Sequence, residues 1–117
     1  MPEFEVTLSG IASRLANLSR EMDALTRTLA EFDRDAVEKR EAYVMAYARA
    51  FLTAEGSMDV RRYIATEQTH SERFAAEAAD CSVRDKKAQI KAIENSVDVG
   101  RSVGSLVKSE MDLERVR

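Results

Sequence analysis

Histidine and cysteine each occur once, as His70 and Cys81, and those two side chains bound the chemistry available. A catalytic or metal-bound histidine needs convergent partners, whereas His70 stands among Gln68, Thr69, Ser71 and Glu72 and reads as a solvated side chain. A single cysteine forms no internal disulfide and no cysteine-based metal site. Set among alanines, Cys81 reads as a small buried hydrophobe with Arg84 one turn on. Carboxylates are plentiful, but they fall four residues from bases: Asp23 with Arg27, Arg34 with Glu38, Arg73 with Glu77, and Asp80 with Arg84. Such pairs contribute roughly 0.2–0.5 kcal/mol each and describe helix faces in water. A pair of catalytic carboxylates does not stand out from that background. No phosphate-binding glycine loop, nucleophile elbow or metal-ligand spacing occurs. The sequence predicts no catalytic residue, no metal and no cofactor.

Two clusters point to binding instead. Arg84, Lys87 and Lys91, with Lys86 beside them, form a basic run that Arg101 and Lys108 extend if the helix continues. Between residues 81 and 108 there are six bases against three acids, a composition suited to phosphates or an acidic partner. No aromatic side chain is interleaved, so base stacking has no platform there. The second cluster surrounds Gly56: Tyr43, Tyr47, Arg49, Glu55, Arg61, Arg62 and Tyr63. Arginine with tyrosine is a common interface composition. Tyrosines on a half-buried stripe are equally often core with a wet hydroxyl.

The elements that must carry these clusters are long helices. Leu8, Ile11, Leu15, Leu18, Met22, Leu25, Leu29, Phe32 and Ala36 alternate steps of three and four without a miss, which makes one coiled-coil seam. Lys39 falls on the next seam position. The stripe then reads one residue out of phase as Val37, Val44, Tyr47 and Phe51. Ala54–Asp59 punctuates the chain: Gly56 suits the residue after a helix, Ser57 an N-cap and Asp59 a first turn. Beyond it, one set of apolar positions runs Val60, Ile64, Phe74, Ala78, Cys81, Ala88 and Ala92. Another runs Ile90, Ile93, Val97, Val107 and Met111. Pro2, Glu3 and Glu5 suit a helix start near residue 3, with Thr7 or Ser9 as a later cap.

The expectation is an all-α chain, one domain over residues 1–117. Its form is a long antiparallel helical hairpin, with a helix over about 3–55, a turn at 56–57 and a helix over about 58–114. Asn95, Ser96, Gly100 and Gly104 are weak helix formers and allow a kink near 95–104. Pivoting at Gly56 sets Leu15 near Val97, Met22 near Ile90 and Leu29 near Val83. It sets Phe32 beside Ala75, Ala76, Ala78 and Ala79, and Phe74 beside Ala36. Two helices alone enclose no core, and Val44, Phe51, Val99, Val103 and Leu106 point elsewhere, so the chain is expected to pair with itself as an oligomeric bundle. Charge is near balance, at −3 from 18 bases and 21 acids. Neither half is basic enough to assign nucleic-acid binding on charge alone. No apolar run approaches the ~18 residues of a membrane span, and no basic region precedes an apolar run, so a cytoplasmic protein without a membrane segment is expected.

The stretch Tyr43–Leu52, then Ala54–Tyr63, and Val99-Gly100-Arg101-Ser102 with its apolar, basic tail, resemble small all-helical proteins of unknown function encoded in early regions of tailed bacteriophages of actinobacteria. The resemblance covers roughly residues 38 to 113. It implies a place beside replication and recombination genes, hence a role in DNA metabolism or interference with a host process. It carries over no catalytic residue, and it singles out Arg49, Glu55, Arg61, Arg62 and Arg101. Three functions are in view: a non-enzymatic oligomer binding a protein partner, a nucleic-acid-binding accessory using the basic helix face, and an oligomer sequestering an anionic small molecule.

Overall fold

The computed structural model describes residues 7–116. Among them the chain is all-α, without a strand: α1 spans Leu8–Thr53, α2 Met58–Gln68 and α3 His70–Val116. The helix start proposed at Pro2, with Glu3 and Glu5, lies outside the described residues. Thr7 serves as the cap of α1, its hydroxyl accepting the Gly10 N–H at 3.0 Å.

Gly56 adopts φ +118°, a backbone conformation open to glycine, and an added Cβ would meet Val60 Cγ1 at 3.1 Å. Ser57 caps α2 by accepting the Val60 N–H, and Asp59 occupies the first turn. The carbonyls at the end of α1 are also taken. The Thr53 hydroxyl donates to Arg49 O, and Arg61 Nε donates to Ala54 O at 2.9 Å. These bonds satisfy groups that a helix terminus leaves open.

The stretch expected as one helix from 58 to 114 is two. Thr69, at φ −112° and ψ 18°, separates α2 from α3. Its backbone N–H and its hydroxyl both donate to Ala65 O, the hydroxyl at 2.6 Å. A threonine bonding back to the preceding turn distorts a helix in this way. Residues 95–104, where weak helix formers allow a kink, are α-helical throughout.

The chain divides into two compact units, one comprising residues 28–87 and the other pairing residues up to Arg27 with residues from Ala88 onward. In the first, Ala36, Ala79 and Val83 form a buried cluster with Leu29 and Phe32 packed on it. Arg40 pairs with Asp80 at 2.8 Å, and Lys86 Nζ sits 5.5 Å from the centre of the Phe32 ring. After Lys39 both phases of α1 are covered: Tyr43, Ala46 and Ala50 keep the original spacing, and of the shifted set Tyr47 and Phe51 are half-buried while Val37 and Val44 are exposed.

In the second unit Leu18 is buried, and Ile11, Leu15, Met22, Leu25, Ile90, Ile93, Val97 and Val107 are half-buried. A Cβ on Gly100 would stand 2.9 Å from Leu15 Cδ2, and one on Gly104 3.5 Å from Ile11 Cγ2. Leu15, Met22 and Val97 line one groove with Ser19, Glu94, Asp98 and Arg101.

Several placements differ from the sequence reading: Leu8, Val60, Ala78 and Met111, read as stripe positions, are exposed, and Phe51 and Val103, read as pointing elsewhere, are half-buried. Phe74 is exposed and stands outside the Ala36 cluster, and Cys81 is exposed. The inward stripe of α3 is Ala76, Ala79, Val83 and Lys86 in one unit, and Ile90, Ile93, Val97, Gly100, Gly104 and Val107 in the other. Phe74 and Cys81 belong to a different face of the same helix.

Candidate functional site

The residues around Gly56 separate into two groups. Tyr43 and Tyr47 are half-buried and meet edge to face, with ring centres 6.3 Å apart and planes at 73°. Arg61 is half-buried too, its guanidinium 5.6 Å from the centre of the Phe51 ring and its Nε on Ala54 O. Arg61 thereby fastens the turn, while the two tyrosines pack on each other along α1. Arg49, Glu55, Arg62 and Tyr63 face solvent, with Arg62 3.5 Å from Asp59.

Sequence reasoning missed the apolar part of this surface. Leu52 is 73% exposed and Tyr63 67%, and Met58 and Val60 are exposed beside them in the chain. A signal was present: Leu52 falls one residue off the heptad, and Met58 and Val60 sit in the first turn of a new helix, where no seam has begun. On the outer side of α1, Val37, Glu38, Glu41, Ala42, Met45 and Arg49 line a shallow groove.

The basic residues are displayed but not concentrated. Arg84, Lys87, Lys91, Arg101 and Lys108 are all exposed. Arg84 and Lys87 line a groove in which Asp33, Asp80 and Arg40 also stand. Arg84 donates toward Cys81 Sγ at 3.1 Å, and Asp80 takes Arg40 rather than Arg84 as its ion partner. In the other unit Arg101 shares its groove with Glu94 and Asp98. Arg84, Lys87 and Arg101 therefore stand near carboxylates, which lowers the local positive potential there. Lys86 is half-buried over Phe32, its stem covering apolar surface.

His70 is exposed, with Nδ1 3.3 Å from Arg73 Nη2. Among the described residues no group of three or more His, Cys, Asp or Glu side chains could hold a metal ion, and no helix is long and apolar enough to cross a membrane. No protein-family model, curated protein or solved structure matches this chain.

Proposed function

We propose that this chain is a non-enzymatic helical-hairpin protein that assembles with itself and presents the α1–α2 turn to a protein partner. The observation that carries the partner reading is the exposed apolar set Leu52, Met58, Val60 and Tyr63, flanked by Arg49, Glu55 and Arg62. Exposed apolar side chains near one turn, with an aromatic and arginines close to them in the chain, have the composition of an interaction site. The hairpin is supported within each unit by its contacts: Ile11 with Gly104 and Leu15 with Gly100 in one, Arg40 with Asp80 in the other. Self-assembly is supported by the thin interior. Six of the eight buried apolar residues, among those described, are alanines. The phage resemblance adds a setting, a host or phage process modulated by contact in the bacterial cytoplasm.

The test is affinity capture from host lysate with wild type and with Leu52→Glu/Tyr63→Ala. A protein retained by the first and lost by the second, at unchanged helicity, supports the reading. Equal retention by both removes the turn as the binding surface.

A nucleic-acid role is the second reading, favoured by the exposure of all five bases Arg84, Lys87, Lys91, Arg101 and Lys108. Its mark is a mobility shift that weakens steeply with salt and is lost in Lys87→Glu/Lys91→Glu. No shift at low salt disposes of it.

A further inference from the structure

The part of α3 from Ala88 onward carries two heptad stripes, and only one is covered. Ile90, Ile93, Val97, Gly100, Gly104 and Val107 turn inward. Ala88, Ala92, Asn95, Val99, Ser102, Leu106, Ser109, Leu113 and Val116 follow the same alternation of three and four, and every one is exposed. At ~100° per residue the second stripe lies about 150° around the helix from the first. Its large members are bare: Val99 is 63% exposed, Leu106 68%, Leu113 66% and Val116 86%. A helix with one buried face needs one apolar stripe; a second with coiled-coil spacing on the far side calls for a second helix.

We propose that this outer stripe is a homodimer seam, in which α3 packs antiparallel against α3 of a second copy about a two-fold axis between Gly100 and Arg101. The proposal rests on the self-assembly read above and names its surface. Three features select this occupant. The first is charge. In this register Lys91 flanks the seam opposite Asp112 of the second copy, twice by symmetry, and Asp98 meets Ser105. Moving one heptad either way sets Asp98 against Asp112 or Asp98 against its own copy. A parallel pair sets Lys91 against Ser96 and Asp98 against Val103, so those two charges go unmatched. Of these arrangements the stated register alone gives Lys91 an acidic partner.

The second feature is size. The layers become Val99 against Ser102, Leu106 against Asn95 and Leu113 against Ala88 of the second copy. Large side chains meet smaller ones and the helices approach closely. The third is area. The stripe spans 28 residues' rise, about 42 Å, and a contact of helix width counted on both copies covers on the order of 1,000 Å², the size of the smaller specific interfaces.

The test uses the full chain in sedimentation, with helicity followed by circular dichroism. Wild type is expected to be dimeric at micromolar concentration, and Leu106→Glu to weaken the dimer by roughly a hundredfold. Lys91→Asp is expected to weaken it by roughly three- to tenfold, and Lys91→Asp/Asp112→Lys to recover most of that loss, a swap that leaves the inner face untouched. In a Cys81→Ser background, Val99→Cys mixed with Ser102→Cys is expected to give a disulfide-linked dimer on oxidation, and neither variant to do so alone. Self-crosslinking of either variant overturns the antiparallel register. A wild-type oligomer that survives Leu106→Glu and the Lys91 reversal overturns this seam while leaving self-assembly standing. A wild-type monomer overturns self-assembly itself.

Discussion

The unit of residues 28–87 and the unit pairing residues up to 27 with residues from 88 are built from the same kind of helix, yet they bury different things. The first buries Ala36, Ala50, Ala54, Ala65, Ala76, Ala79 and Val83, together with Thr69; the second buries Leu18. Large side chains in the second, from Ile11 to Val107, stay half-covered. The reason is geometric. A neighbouring helix screens one side of a residue, which suffices for alanine but leaves the flanks of leucine or isoleucine wet. The alanine-lined contact is close but removes little apolar area per residue. The leucine-lined one holds more apolar area than its neighbours in the unit cover. Complete burial and large hydrophobic stabilisation are thus separated between the two units.

That contrast can be broken at its one strong point. Leu18→Ala removes the buried large side chain of its unit and is expected to cost about 2–5 kcal/mol. Native-state amide exchange should show the loss concentrated in residues 8–27 and 88–116, with residues around Ala36 and Ala79 affected less. Next in size, Ala79→Leu forces a large side chain into the buried cluster of Ala36, Ala79 and Val83 in the other unit. It is expected to destabilise by about 1–3 kcal/mol in urea unfolding, whereas an alanine-to-leucine change at exposed Ala92 should leave monomer stability within about 0.5 kcal/mol.

The glycines sharpen the comparison with the opposite sign. Gly104→Ala places a methyl at ordinary contact distance, 3.5 Å from Ile11 Cγ2, and should raise stability by up to about 1 kcal/mol through helix propensity. Gly100→Ala meets Leu15 Cδ2 at 2.9 Å and should gain less, because Leu15 has to shift. Thermal unfolding of the two variants side by side gives the difference. The smallest effect belongs to Arg40 and Asp80. Their side chains are 56% and 41% exposed, so a double-mutant cycle with alanine is expected to give a coupling below about 1 kcal/mol that falls with added salt.

Much of the candidate site was legible, in uneven ways. The turn was readable residue by residue, because Gly56, Ser57 and Asp59 each act through local backbone chemistry. Arg61 was not, since a partner-facing arginine and one that closes the preceding helix have the same neighbours in sequence; only the Ala54 carbonyl and the Phe51 ring distinguish them. The apolar turn surface of Leu52 and Met58 went unread because short apolar pieces outside a heptad carry no periodic signal.

Periodicity by itself determined that this chain is helical and where α1 carries its seam. It did so because side-chain direction in a helix follows from spacing alone. Pivoting at Gly56 already turned Val83, Ile90 and Val97 inward; tertiary structure decided which residues complete that stripe. Both stripes repeat at the same interval, and the inward one is disguised by Lys86, Gly100 and Gly104, where a long aliphatic stem and two bare backbones do the work of hydrophobes. Spacing encodes faces, but how a face is completed is set by fit, through the closeness with which Leu15 meets Gly100 and Phe32 meets the alanines and lysine opposite.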